Sequence, residues 1–225
     1  MNDFSYQKSL PLRLRPSFGR HDFIVGVSNN EAISWVDNFL TWKEDGLIII
    51  GPGSSGKSHL ANVCKHKYNC DILEANDINN EDINILNLND LIIENIEKIK
   101  NFNFFLHIIN ILKEKRHKLI LTSKYTIQDM EVKLEDLSSR LLAFPQAKIL
   151  LPTDDVLRGI IIKLSKDKAL PLNNGVINFI INHTERSYLA IHKLINELDQ
   201  LALDKKKKIT IPFVKLVCEK KSYYN

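Results

Sequence analysis

Apolar positions along this chain follow two regimes. Between residues 46 and 151, short apolar runs alternate with stretches of helical spacing; beyond residue 153 only helical spacing remains. Gly46-Leu-Ile-Ile-Ile50 is a continuous apolar run ending in a glycine loop, the pattern of a strand buried on both faces. Asp71–Glu74, Leu91–Ile93, Lys118–Thr122 and Lys148–Leu151 read as further strands. Helices are expected over Glu31–Leu40, with Ala32, Trp35, Val36, Phe39 and Leu40 on one face, and over Lys57–Lys67, with Leu60, Ala61 and Cys64 turned inward. Phe102–Lys115 and Leu134–Leu142 read as two more. Strands that alternate with helices indicate a parallel sheet covered on both faces, an α/β fold.

The second regime starts with Val156, Leu157, Ile160, Ile161 and Leu164 at helical spacing, opposite Arg158, Lys163 and Lys166. Pro171 and Asn173-Asn174-Gly175 interrupt the chain before a helix over Val176–Ile181. A long amphipathic helix follows, with Leu194, Ile195, Leu198, Leu201 and Ala202 on one stripe. Thr210-Ile-Pro212 opens the last helix, with Pro212 in its first turn. The expected organisation is an extended arm over 1–20, marked by Pro11, Pro16 and Gly19, an α/β domain over 21–152 and an all-helical lid over 153–225.

Composition narrows the partners only a little. Lys and Arg total 31 against 27 Asp and Glu, so the net charge of +4 makes no case for nucleic acid by itself. The one concentrated run, Lys205–Lys208, reads first as a solvated turn, with direct DNA binding as the alternative. Cys64, Cys70 and Cys218 have neither metal-ligand spacing nor the look of a disulfide framework. The N-terminus lacks a signal-peptide layout and no apolar run reaches the ~18 residues of a membrane helix. The expectation is a cytoplasmic protein with no membrane association.

The chemistry concentrates after the first strand. Gly51-Pro52-Gly53-Ser54-Ser55-Gly56-Lys57-Ser58 matches G-x-x-x-x-G-K-[ST], a loop whose backbone N–H groups surround nucleotide phosphates. Lys57 would reach the outer phosphates and the Ser58 hydroxyl would ligate Mg2+. Asp90-Leu-Ile-Ile-Glu94-Asn95 is a strand ending in an acid; Glu94 would hold the magnesium shell. Asn95 stands where a second acid usually polarises the attacking water, and an amide orients water without taking its proton. Tight binding with weak intrinsic ATPase activity is therefore expected. Thr122 or Ser123, at the end of the next strand, is placed to sense phosphate, with a plain strand-end turn as the alternative. Arg140 falls near the end of a short helix at the domain edge, where it suits either a surface salt bridge or a finger for a neighbour's nucleotide. Arg186, before the long lid helix, is a candidate phosphate contact.

Taken together these motifs resemble the AAA+ module of the DnaA family. Phe23-Ile-Val-Gly26-Val-Ser-Asn29 is similar to the box that precedes the module, and His59-Leu60, Ile-Glu-Asn-Ile-Glu, Leu-Thr-Ser and Leu-x-Asp-Leu-x-Ser-Arg follow in the family order. The chain stops after Thr-Ile-Pro-Phe-Val214 and the helix it opens, short of a helix-turn-helix domain, and Asn76–Asn89 is too short for the paired helices initiators insert there. It thus resembles more narrowly the Hda/HdaA regulatory inactivators of DnaA. Gln7-Lys-Ser-Leu10-Pro11-Leu12 is similar to that family's sliding-clamp peptide. The sequence departs from the family in having Glu94 for aspartate and in placing Arg186 about one helical turn further from Thr-Ile-Pro.

The resemblance implies ADP or ATP with Mg2+, contacted also by Phe23, Ile24 and His59. It implies docking on the DNA-loaded clamp (the polymerase beta subunit) through Gln7, Leu10, Pro11 and Leu12, DNA contact only through that clamp, and Arg140 presented to ATP held by DnaA. A homodimer is compatible with this scheme. The alternative is a self-sufficient AAA+ ATPase, a motor or helicase loader acting on DNA-bound replication proteins.

Overall fold

The computed structural model describes residues 19–81, 89–205 and 208–221. Two compact units emerge, Phe18–Val156 and Leu157–Asn225. The division falls a few residues beyond position 153, inside a helix.

In the first unit five parallel strands form one sheet in the order β2-β3-β4-β1-β5. They are β1 (Gly46–Ile50), β2 (Asp71–Glu74), β3 (Leu91–Glu94), β4 (Leu119–Ser123) and β5 (Gln146–Lys148). All residues of β1, β3 and β4 are buried, as the unbroken apolar runs require of a sheet covered on both sides. Ile48, Ile50, Leu91, Ile93, Leu119 and Leu121 point to one face. There α4 (Phe102–Glu114) and α5 (Glu135–Ala143) pack with Phe105, Ile108, Leu137 and Leu141. The opposite face is covered by α1 (Asn30–Asp37) and α2 (Lys57–Tyr68). Register pairs Ile50 with Ser123, and Glu74 with Glu94, so the strand C-termini form one polar edge.

Three details differ from the sequence expectation. The first helix stops at Asp37, and Phe39–Thr41 continues as a 3₁₀ turn. That turn buries Phe39 and leaves Leu40 74% exposed, so Leu40 does not share the inner face. The last strand is Gln146–Lys148, not Lys148–Leu151. Only those three residues pair with β1, while Leu150 and Leu151 are 59% and 65% exposed despite their apolar side chains. A five-residue helix, α3 (Ala75–Asn79), follows β2 directly; Asp77 Oδ2 accepts from the Glu74 N–H at 2.7 Å and closes its first turn.

The second unit is built from helices. α6 (Asp154–Asp167) enters it, followed by α7 (Asn174–His183), α8 (Tyr188–Lys205) and α9 (Ile211–Lys221). Leu157, Ile161, Ile177, Ile180, Leu194, Leu198 and Val214 make its core. The Asn173 side chain caps α7 by accepting from the Val176 N–H at 2.9 Å. Arg186 lies exposed in the turn before α8, two residues ahead of the helix it was expected to enter. Among the described residues no helix is long and apolar enough to cross a membrane.

Candidate nucleotide-binding site

The polar edge is organised around the connection from β1 to α2. Residues 51–56 turn sharply, with Ser54 at φ 62° and Gly56 at φ 97°. Left-handed residues in such a turn direct successive backbone N–H groups into one concavity that accepts anions. Space beyond Gly53 is open, so nothing bars backbone approach there. At Gly56 the left-handed φ costs no strain, and a Cβ would lie 2.8 Å from the Phe23 ring. Helix α2 starts at Lys57 and aims the positive end of its dipole and its uncapped first-turn amides at the same concavity.

Lys57 is buried, and its ammonium donates to the carbonyls of Gly51 (2.6 Å) and Pro52 (2.9 Å). Burial lowers its pKa, opposed by the negative charges of Glu97 and, more weakly, Glu94. Ser58 Oγ donates to Glu94 Oε1 at 2.5 Å, which joins the first turn of α2 to the end of β3. Burial raises the Glu94 pKa above the ordinary carboxylate value against that hydrogen bond. Ser55 Oγ is buried and has no hydrogen-bond partner. An orphaned hydroxyl within an amide-lined turn fits an oxyanion, which would satisfy it. The Ser58 hydroxyl and Glu94 carboxylate are hard oxygen donors suited to Mg2+, which takes one or two protein ligands and completes its shell with phosphate and water.

The flanking residues have mostly structural duties. Thr122 is fully buried and its Oγ1 accepts from the Asn95 N–H at 3.1 Å. Ser123 accepts from the Tyr125 N–H at 3.0 Å and donates to Met130 Sδ, forming a strand-end turn. Asn95 adopts a left-handed conformation at φ 59° and donates through Nδ2 to Glu74 Oε2 at 3.2 Å. Its amide is thereby committed to the β2–β3 edge. His59 Nε2 lies 2.9 Å from the Gly19 carbonyl and its ring meets Phe23 edge-to-face at 5.3 Å. Asn29 ties off the Phe23–Asn29 segment by accepting from the Gly26 N–H and donating to the Ile24 carbonyl. Phe23, Ile24 and His59 thus belong to one packed wall beside the loop.

Arg140 stands elsewhere. It lines a cavity of about 200 Å³ with Asp45, Lys113, Phe144 and Pro145, at the N-terminal edge of the sheet. Its Nε pairs with Asp136 Oδ1 at 3.1 Å, one turn back on α5. Gln7, Leu10, Pro11 and Leu12 lie outside the described residues. Sequence reasoning missed Glu97, whose two carboxylate oxygens are buried without a hydrogen-bond partner; its position three residues past the strand acid is the only signal.

A parallel sheet of this order, with a phosphate-type loop after β1 and a helical unit following it in the chain, is the fold of a P-loop AAA+ module and its lid. Comparison with solved structures agrees. Domain III of the Thermotoga maritima replication initiation protein DnaA superposes with a TM-score of 0.79 at 16% identity, covering 94% of this chain and 98% of that one. AMPPCP-bound DnaA from Aquifex aeolicus gives 0.68 at 21% identity, covering 82% and 66%. The Thermotoga maritima RuvB Holliday junction branch migration motor gives 0.68 at 16%, covering 92% and 72%. No curated protein sequence matches the chain. Residues 154–218 match the family model for the Hda lid domain. The lid-like unit is thus similar to that of Hda, and the chain as a whole has the fold of the DnaA AAA+ module.

Proposed function

We propose that this protein regulates replication initiation by binding an adenine nucleotide and lending Arg140 to ATP held by DnaA, so that the initiator passes to its ADP form. The observation that carries the reading is the separation of Arg140 from its own phosphate loop. β1 runs from the Arg140 cavity to Gly51, and its five residues span about 16 Å at ~3.3 Å each. An arginine at that distance has no access to the nucleotide of its own chain but is free to face a neighbour. The Asp136 pair is exposed and worth only ~0.3–0.5 kcal/mol, so it parks the guanidinium without locking it. A finger supplied in trans contributes ~10³–10⁵ in rate.

The nucleotide is bound by the 51–58 loop, with Lys57 on the outer phosphates and Ser58 and Glu94 toward Mg2+. Phe23, Ile24 and His59 form the neighbouring wall. Gln7, Leu10, Pro11 and Leu12 dock on the sliding clamp, which concentrates the protein where DNA is already loaded. DnaA structures bound to AMPPCP support an adenine ligand, and the Hda lid match supports DnaA as client.

The test is a reconstitution with clamp, DNA and DnaA-ATP. Arg140→Ala is expected to lower stimulated hydrolysis by ~10³-fold or more while its own nucleotide affinity stays intact; undiminished stimulation refutes the finger. Gln7→Ala is expected to abolish clamp retention, and full retention refutes the docking peptide. A self-sufficient ATPase motor would instead show brisk turnover without DnaA.

A further inference from the structure

At the β2–β3 end of the polar edge, one hydrogen bond fixes which way an amide faces. Glu74 and Glu94 are register partners at the ends of neighbouring strands, so their side chains leave the sheet on one face, with the strands ~4.8 Å apart. Glu94 Oε1 lies 2.5 Å from Ser58 Oγ in the first turn of α2, which sets this corner against the phosphate loop. The next residue, Asn95, has its backbone held at φ 59° with its N–H on Thr122 Oγ1. Its Nδ2 donates to Glu74 Oε2 at 3.2 Å. Glu74 is exposed, and an ionised carboxylate can only accept. The acid therefore engages the Nδ2 end of the amide. The Oδ1 end is left as an acceptor that no other described residue bonds.

That polarity has a chemical consequence. Water attacking a phosphorus must keep a lone pair aimed at it, so the group that orients the water has to accept one of its O–H bonds. An amide turned the other way would donate to the attacking lone pair and occupy it. We propose that Glu74 is a positioning residue for nucleotide hydrolysis, holding Asn95 so that Oδ1 is the end available to the attacking water. This rests on the nucleotide-binding reading of the 51–58 loop. In the step it serves, the water oxygen bonds to the terminal phosphorus. The bond from that phosphorus to the bridging oxygen breaks, its electrons leaving on ADP, and the water's proton passes to a terminal phosphate oxygen. Neither Glu74 nor Asn95 takes the proton, so turnover stays slow and depends on orientation.

The experiment grades the hydrogen-bonding character of position 74 in the full chain. Glutamate only accepts, Glu74→Gln can accept or donate, and Glu74→Lys only donates and so engages Oδ1. Conversion of bound ATP to ADP is read in a single turnover at saturating Mg2+-ATP, beside the affinity for a fluorescent ATP analogue. Conversion is expected to fall in that order, to roughly 10²-fold below the unsubstituted chain in Glu74→Lys, the scale on which a misplaced reacting group costs rate. Affinity of Glu74→Gln is expected to stay within about threefold. Adding Asn95→Asp to Glu74→Lys should restore conversion, because a carboxylate that accepts from the lysine with one oxygen keeps the other for water. A purely structural contact would not be rescued in this way. Equal conversion across the series, no conversion in the unsubstituted chain, or a Glu74→Lys loss that Asn95→Asp leaves in place overturns the assignment. So does a Glu74→Gln variant whose affinity falls together with its conversion, which would make Glu74 part of the binding site. Absence of nucleotide affinity in the unsubstituted chain would instead overturn the binding reading beneath it.

Discussion

Ser58 and Glu94 are joined by a 2.5 Å hydrogen bond that ties the start of α2 to the end of β3. The bond partly offsets the desolvation that raises the Glu94 pKa. Ser58→Ala leaves a buried carboxylate oxygen without its donor, at a cost of ~1–3 kcal/mol. Two changes are expected: a thermal midpoint lower by several degrees, and ATP affinity that no longer responds to Mg2+. Calorimetry and nucleotide titration with and without the metal check both. A variant whose affinity still depends on Mg2+ would remove Ser58 from the metal site.

Gly56 is the hinge between loop and wall. Alanine there meets two obstacles, a φ of 97° that costs ~1–2 kcal/mol and a Cβ 2.8 Å from Phe23. The ring shift would disturb its edge-to-face contact with His59. Gly56→Ala is therefore expected to lower the thermal midpoint by about 2–8 °C and weaken nucleotide affinity at least tenfold. Adding Phe23→Leu should recover the steric part and not the backbone part, a coupling that a double-mutant cycle measures. Strict additivity of the two substitutions would show that Phe23 does not limit the loop.

Much of this was legible in sequence because continuity and motif coincide. The apolar run of β1, the glycine loop and α2 occupy one unbroken stretch, so 46–68 could be placed from the residues alone. The lid helices were legible for the same reason, since their apolar stripes are long. What stayed hidden depends on long-range packing. Leu150 and Leu151 extend an apolar run that β1 is too short to pair, and Leu40 follows a helix that ends one turn early. The helix α3 is polar and short, though Glu74 and Asp77 at capping distance announce it. Nor does sequence show that Asn95, read there as a water-orienting amide, places its Nδ2 on Glu74 and its N–H on Thr122. Arg140 shows one of the two readings its sequence position admits, an ion pair, made with Asp136.

The lid carries its own pH response through His192 on α8. Burial lowers its pKa, and the positive charges of Lys163 and Lys168 lower it further; Lys168 is itself paired with Asp199 at 3.1 Å. The folded imidazole thus resists a proton that the unfolded chain accepts near pH 6.5. Where the unfolded state binds more protons, stability rises with pH. The contribution is therefore complete above the unfolded pKa and is lost as pH falls below it toward the depressed folded value. Urea denaturation at pH 7.5 and at pH 5.0 should show the unsubstituted chain losing more stability on acidification than His192→Gln. The comparison is a difference of differences, so any uniform cost of the substitution cancels. Equal losses in the two proteins would mean that His192 takes up its proton as readily in the fold as outside it, and that the lysines around it exert no net pressure on the ring.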